Sequence, residues 1–572
     1  MKKLLLGNEA IARGAYEAGV TVASAYPGTP STEISENLVQ YKEVYCEWAP
    51  NEKVAMEVAV GASIAGARSL ACMKHVGVNV AADPLFTFSY TGVNGGMVLV
   101  VADDPGMHSS QNEQDSRFYA RSAHIPMLEP SDSQECKEYV KIAYELSEKY
   151  DTPVMLRTTT RVAHSQSFVT LEDRKEVELK DYVKDITKYA MMPASAIGRH
   201  KVVEARENLL KEDCNDFNVN VEEINDTSLG IVCSGVEYQY VKEAMPNASV
   251  FKLGMVYPIP LKRIKEFSEK VDRLVVVESL EPFFENQLKA NGIKCEGKNL
   301  FSLQGELNVA IIKKAFLGID TEKKVENLPN RPPVMCAGCP HRGVYYVLNK
   351  LKKTVCADIG CYTLGAQPPL SAVDTVVCMG ASLGVGQGFE HARGKEYAKN
   401  VVSVIGDSTF VHSGITGLIN AVYNKTNTTL IILDNSTTGM TGHQDHSATG
   451  ITLKGETTKK LLLDDLVKSC GVDDLYIVDA YDMKAVEDAI KSACNYEGVS
   501  VIIAQRPCVL KIKMALPAYK IDNCKNCGMC MRIGCPAISK EGNKAVINPV
   551  QCVGCGLCVQ MCKFGCIKQE EK

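Results

Sequence analysis

No run in this sequence approaches the ~18 consecutive apolar residues of a membrane-spanning helix. A cationic surplus is missing too: 63 Lys and Arg stand against 68 Asp and Glu, a formal charge of -5 with no basic block. That balance argues against a nucleic-acid or other polyanionic partner. The opening Met1-Lys2-Lys3-Leu4-Leu5-Leu6 has too short an apolar stretch for a secretory signal, so the expected compartment is the cytoplasm and no membrane is expected as partner. Short-period repeats and low-complexity segments are also lacking, which sets aside solenoids and disordered tails.

Cysteine, by contrast, is abundant. Twenty-three are present, and in a reducing compartment a chain of this size neither keeps nor needs a disulfide framework, so metal ligation is the better expectation. Eight lie in two stretches near the end, "CKNCGMCMRIGCP" from Cys524 and "CVGCGLCVQMC" from Cys552. Four more, Cys336, Cys339, Cys361 and Cys508, sit in motifs taken up below. The rest, such as Cys46, Cys72 and Cys233, are scattered in the manner of small core residues.

At 572 residues the chain calls for three or four domains. Residues 1–170 alternate Gly/Ala-rich helical stretches with apolar runs such as "MVLVVA" (Met97 to Ala102), the pattern of a parallel α/β domain. Residues 171–327 begin with a charged, weakly patterned stretch and continue into "SLGIVCSG" and "RLVVVES", the strands of a smaller α/β domain. After a break at "LPNRPPV" (Leu328 to Val334), residues 328–516 form a third α/β domain whose strands each run into a polar or glycine-rich turn. Residues 517–572 form the cysteine tail.

In that tail Cys524, Cys527 and Cys530 share CxxCxxC spacing and are followed by Cys535; Cys552, Cys555, Cys558 and Cys562 repeat the arrangement. Such turns aim three thiolates at one 4Fe-4S cluster, while the remote fourth cysteine serves the other cluster. The expected ligand sets are therefore Cys524, Cys527, Cys530 and Cys562 for one cluster, and Cys552, Cys555, Cys558 and Cys535 for the second. Two zinc sites are the alternative, but four ligands per zinc leave the third closely spaced cysteine unused. Four residues rather than three separate Cys530 from Cys535, Lys563 stands where proline is usual, and Cys566 competes with Cys562.

In the third domain "VIGDSTF" puts Gly406, Asp407 and Ser408 at the end of one apolar strand, and "IILDNSTTG" ends the next with Asp434 and Asn435. Glycine lets the backbone approach a phosphate, while an acid and an amide oxygen suit a magnesium ion bridging a diphosphate. The intervening residues are enough for a helix and a strand, so both turns reach the same carboxyl edge of the sheet. The pair resembles the thiamine diphosphate signature, with Asp407 and Asn435 as side-chain metal ligands and the carbonyl of Thr437 as the third. "GASLGVGQG" (Gly380 to Gly388) offers small residues for close packing. Thiamine enzymes ionise the cofactor's aminopyrimidine through a carboxylate on a separate domain. "NEKVAMEVAVGASIAGARS" (Asn51 to Ser69) presents Glu57 inside an Ala/Gly-rich helix, with Glu52 at the helix start as its rival.

Taken together, "YPGTPSTEI" (Tyr26 to Ile34), "MKHVGVNVAADPL" (Met73 to Leu85), "CAGCPHRG" (Cys336 to Gly343), "DIGCYTLG" (Asp358 to Gly365), "LDNSTTGMTGHQ" (Leu433 to Gln444) and the tail make the chain resemble the 2-oxoacid:ferredoxin oxidoreductases. The similarity is greatest to the alpha subunits of the indolepyruvate-oxidising branch. It implies two thiamine-diphosphate-binding-type parallel-sheet domains, a smaller α/β domain between them and a two-cluster ferredoxin-like domain. Glu57 matches the activating glutamate, and Thr29 and Arg117 match positions near the substrate's keto acid, where a hydroxyl orients a carbonyl and a guanidinium clamps a carboxylate. His75, His412 and His443 fall in family motifs around the pocket. The resemblance also implies a third cluster near the thiamine, held by Cys336, Cys339, Cys361 and Cys508, with Cys356 as substitute for Cys361.

The activity so implied is oxidative decarboxylation of an aryl pyruvate, with coenzyme A taking the acyl group, ferredoxin taking the electrons and a separate beta subunit completing the enzyme. The same chemistry on pyruvate or a branched-chain 2-oxoacid is one alternative. A non-catalytic electron-transfer subunit is the other, against which Glu57, Asp407 and Asn435 speak.

Overall fold

The computed structural model describes residues 1–320, 329, 332–512 and 516–569. The chain divides into two compact units, Met1–Glu326 and Asn327–Lys572; the boundary expected at 327/328 lies outside the described residues.

The first unit is built on a seven-stranded sheet in the order Met255–Tyr257, Met127–Leu128, Val154–Thr159, Met97–Asp103, Ser69–Lys74, Val22–Ala25, Tyr45–Trp48. All neighbours run parallel except the edge strand Met255–Tyr257. Every residue of Met97–Asp103 and Ser69–Lys74 is buried, because helices cover both faces of the sheet, and this produces their unbroken apolar spelling. A four-stranded sheet (Leu274–Val277, Asp226–Ser234, Ala248–Leu253, Val221–Glu223) follows. Its chain runs from Ala248–Leu253 straight into Met255–Tyr257, so it lends the larger sheet an edge strand. Val232, Phe251 and Phe284 share one core with Met73, Leu99 and Phe88. The smaller sheet is thus packed as part of the first unit and does not stand free.

The second unit carries a six-stranded, all-parallel sheet in the order Thr375–Val376, Thr354–Ala357, Val401–Gly406, Thr429–Asp434, Ser500–Gln505, Asp474–Asp479. Gly406 pairs with Leu433 across the two central strands, so the turns that follow both lie at the carboxyl edge, where open α/β sheets bind ligands. The cysteine tail folds as two antiparallel hairpin pairs, Tyr519–Ile521 with Ile567–Gln569 and Ile538–Glu541 with Lys544–Ile547. Leu557, Met561 and Ile533 of the tail join Val344, Tyr345 and Met483 in one core. Among the described residues no helix is long and apolar enough to cross a membrane.

Candidate cofactor and electron-transfer sites

At the carboxyl edge of the second unit's sheet, Asp407 follows its strand and is buried. Its Oδ1 accepts the Ser408 N–H at 2.9 Å. Gly406 cannot be larger, since a Cβ there would come within 2.6 Å of the Tyr362 ring. Asn435 points its side-chain oxygen at Thr437 O (2.9 Å) and Asp407 Oδ1 (3.2 Å), contacts that become hydrogen bonds only if the amide is turned over. Asp407 Oδ2 is buried without a hydrogen-bond partner, although His446 Nε2 stands 3.3 Å away. Three oxygens converging on one point beside an unsatisfied carboxylate oxygen fit a hard divalent cation, which takes oxygen ligands. Ser408 Oγ accepts from Thr438 at 2.9 Å. Burial and the nearby Asp407 raise the Asp434 carboxyl above its usual range; it caps its own turn through the Ser436 N–H at 3.0 Å. His341, at the start of the helix His341–Lys350, is pushed down to about 4 by burial, against the opposing pull of Asp407, and so faces that carboxylate as a neutral ring.

The four cysteines of the implied third cluster gather around this same loop. The Cys508 N–H donates to Asn435 O at 2.9 Å, Cys508 Sγ lies 4.0 Å from His443 Nδ1, and a Cβ on Gly439 would stand 3.2 Å from Cys361 Sγ. Burial, and then the neighbouring Cys508 and Cys336, push the Cys361 thiol up to about 11. Burial likewise raises Cys339 to about 12, with Cys361 and Cys336 adding to the effect. Cys356 has no cysteine among the groups acting on it and bonds to Thr375 within the sheet, so Cys361, and not Cys356, faces the other three.

In the tail, Cys535, Cys552, Cys555 and Cys558 line one pocket, and Cys524, Cys527, Cys530 and Cys562 line another. The crossed sets arise because the outer hairpin pairs Tyr519–Ile521 with Ile567–Gln569, which carries Cys562 back to the first CxxCxxC turn. The extra residue ahead of Cys535 is taken up at Gly534, whose φ of 67° is left-handed. Cys566 also borders the second cavity, but its thiol bonds to Asn523 O at 3.4 Å. Although burial pushes the Cys562 thiol up, the Cys566, Phe564 and Ile567 N–H groups outweigh it and hold it below the usual range. Cys562 is the better thiolate. Among the described residues no group of three His, Cys, Asp or Glu side chains is arranged to hold a single metal ion.

The first unit gathers a second polar group at the carboxyl edge of its own sheet. Glu52 opens the helix Glu52–Ile64, whose N-terminus is capped by Asn51 accepting from the Val54 N–H at 2.9 Å. It is 5% exposed, and Gly77 leaves room for its carboxylate: a Cβ there would meet Glu52 Oε1 at 2.8 Å. Glu57, one turn on, is 44% exposed and paired with Lys53. Of the two acids on this helix, Glu52 is the one shielded from water and Glu57 the exposed one. Thr29 is half-buried, its carbonyl accepting from Ser109 Oγ at 3.4 Å. Buried Lys74, against the Gly28 turn, donates to Ser109 O at 2.7 Å; burial lowers it to about 8, with Asp104 opposing. Neither ring nitrogen of buried His75 has a hydrogen-bond partner. His412, in the second unit, contacts Ser413 at 2.9 Å.

Arg117 does not serve as expected. It is 1% exposed, held by Asp115 at 2.6 Å and Glu278 at 2.7 Å, and it donates to Ser279 O and Glu281 O. Phe283 and Phe284 lie against its guanidinium. With its fork committed to Asp115, Glu278 and two backbone carbonyls that join the two sheets of the first unit, it is not free to clamp a substrate carboxylate bidentately. Lys74, His341, His446 and Arg342 are polar groups that had been given no role; three of them stood inside quoted motifs, and only their burial distinguishes them from loop residues.

Comparison with known proteins accords with this chemistry. The pyruvate flavodoxin/ferredoxin oxidoreductase thiamine-diphosphate-binding family matches residues 13–224, the thiamine pyrophosphate enzyme C-terminal TPP-binding domain residues 358–504, and the 4Fe-4S binding domain residues 545–568. The chain is 41% identical to indolepyruvate oxidoreductase subunit IorA of Archaeoglobus fulgidus, over 99% of this chain and 97% of that protein. For IorA of Pyrococcus abyssi the values are 42%, 98% and 96%, and for IorA of Methanothermobacter thermautotrophicus 40%, 100% and 98%. Identity of this extent over the whole chain, with thiamine and iron-sulfur domains in place, makes the chain a member of the indolepyruvate ferredoxin oxidoreductase alpha-subunit family, an enzyme of ferredoxin-dependent 2-oxoacid oxidation.

Proposed function

We propose that the chain oxidatively decarboxylates aryl pyruvates, indolepyruvate foremost, to aryl-acetyl-coenzyme A. In balance, the 2-oxoacid anion and coenzyme A thiol give the thioester, carbon dioxide, one proton and two electrons, which leave singly to ferredoxin. The observation that carries this reading is the convergence of Asp407, Asn435 and Thr437 oxygens beside four cysteines in one loop cluster. Thiamine diphosphate, when bound, supplies the carbon nucleophile that attacks the 2-oxo carbon and lets carbon dioxide leave.

The chain's own groups do the rest. Asp407, Asn435 and the Thr437 carbonyl would hold Mg²⁺, with Gly406 and Ser408 leaving room for close backbone approach to a diphosphate. Glu52 would hold and return a proton to the cofactor's aminopyrimidine, and Thr29 would orient the substrate carbonyl. Lys74, held by Ser109 O and with Asp104 acting on it only at a distance, takes the clamping role for the substrate carboxylate in place of Arg117. Cys336, Cys339, Cys361 and Cys508 hold a first cluster beside the diphosphate loop. The two tail sets, Cys535 with Cys552, Cys555 and Cys558, and Cys562 with Cys524, Cys527 and Cys530, hold the next two. A beta subunit completes the enzyme. The domains run 1–170, 171–327, 328–516 and 517–572.

The test is anaerobic reduction of ferredoxin by the chain co-expressed with its beta subunit, with coenzyme A and a panel of indolepyruvate, phenylpyruvate, pyruvate and 2-oxoisovalerate. Fastest turnover on the aryl acids with thioester formed supports the proposal. Preference for the small acids overturns the substrate, and loss of thiamine dependence overturns the mechanism.

A further inference from the structure

Arg342, in the helix His341–Lys350, is 2% exposed. Its Nε donates to Cys336 O at 3.0 Å and its Nη2 to Met335 O. On the other side Nη1 donates to Ile533 O at 3.2 Å and Gly534 O at 2.6 Å. The fork therefore ties the loop of the CAGC motif to the loop that presents Cys535. Gly534 combines a positive φ with close packing, since a Cβ would stand 2.9 Å from Pro369 Cδ and 3.2 Å from Arg342 Nη1.

Carbonyl oxygens orient the guanidinium but bring no net charge, and the charge cannot be shed, because arginine stays protonated in proteins. After burial, the groups acting most on Arg342 are the thiols of Cys339, Cys535, Cys336 and Cys555, and among the described residues no carboxylate is ion-paired with it. A buried cation without a counter-ion is unfavourable unless an anion stands nearby. The cavity that Arg342 lines is the one framed by Cys535, Cys552, Cys555 and Cys558, together with Ala337 and Gly338 of the CAGC motif. Four thiolates around a 4Fe-4S core leave that site net negative. The other tail cavity is lined by no arginine; its cations are Lys525 and Lys540, both exposed and screened by water.

We infer that Arg342 is the fixed counter-charge of the inner tail cluster, raising its reduction potential above that of the outer one and making it the first tail acceptor of electrons from the thiamine domain. The inference rests on the ligand sets proposed above. The step is a one-electron reduction of the cluster, the electron coming from the substrate oxidation, and a cation at its edge favours the reduced, more negative form.

The experiment is an anaerobic redox titration of the full enzyme followed by electron paramagnetic resonance. The outer signal is identified by its loss in Cys527→Ser, and iron is counted in every preparation. In Arg342→Gln the reduction equilibrium of the inner cluster should fall about tenfold, about 59 mV for one electron, with the outer cluster unmoved. Arg342→Lys, which keeps the charge, should stay within about threefold of the wild type. An inner midpoint unchanged in Arg342→Gln at full iron content overturns the inference, as does a shift of both clusters together or an equal shift in Arg342→Lys. Should Arg342→Gln not load iron, the wild-type midpoints decide: an inner midpoint at or below the outer one overturns the inference. A wild-type enzyme without a second tail cluster would overturn the ligand sets first, and that failure is read from iron content before any variant is titrated.

Discussion

Replacing Arg117 by alanine removes a guanidinium that holds two buried carboxylates. Asp115 is bound at 2.6 Å and Glu278 at 2.7 Å, with side-chain exposures of 1% and 2%. Burial raises both acids; Arg117 outweighs it at Asp115, which lies below its usual range, but not at Glu278. Taking one partner from such a network leaves buried charge uncompensated, which costs about 3–5 kcal/mol. Unfolding entropy of about 2.1 cal/mol/K per residue, spread over the 326 residues of the first unit, turns that loss into a fall of roughly 4–7 °C in melting temperature. Calorimetry of the holoenzyme, with the first-unit transition followed separately, is the assay, and the KM for the 2-oxoacid is measured on the surviving native fraction. Wild-type melting combined with a KM raised about 100-fold would refute the reasoning and restore Arg117 as the substrate clamp.

The two glutamates of one helix should behave differently: Glu52→Gln lowers kcat by about 10²–10⁴ with iron content and melting intact, while Glu57→Gln stays within about threefold. The reverse ranking, measured as ferredoxin reduction, would return the role to Glu57. Lys74 is cationic below about 8 and neutral above it, whereas the substrate carboxylate stays ionised. The kcat/KM of the wild type should therefore fall as pH rises through 8, and Lys74→Arg should lose that limb. Stability moves the other way, because between about 8 and 10.5 the folded chain releases a proton that the unfolded chain keeps; an unchanged alkaline limb in Lys74→Arg would refute the clamp. Cys336→Ser should lose about four iron atoms per chain, the content of one cluster, and unchanged iron by colorimetric assay would leave the loop cysteines as free thiols.

Much of the site was legible along the chain because its chemistry is local. The CxxCxxC turns and the Gly406-Asp407 and Asp434-Asn435 strand ends each need neighbours only a few residues away, so their spelling carries their geometry. The parallel sheets were legible for a related reason: a strand covered on both faces, such as Met97–Asp103, must be apolar throughout. Helical position misled where burial mattered. Glu57 stands out in an Ala/Gly-rich helix, yet it points to solvent beside Lys53, and Glu52 at the capped start is the shielded one.

The sequence by itself determined the family, and it located the CxxCxxC turns and the Gly406-Asp407 and Asp434-Asn435 strand ends, because each is written in a short motif. Only the tertiary structure decided what the long cationic side chains do. Arg117 spends its fork between two sheets whose meeting residues are some 160 positions apart, and Arg342 bridges two loops nearly 200 positions apart. Lys74 is left as the buried cation at the sheet edge. The physical reason is reach: a guanidinium's partners are chosen by which distant backbone folding brings within hydrogen-bond distance, and nothing in the residues beside it records that choice.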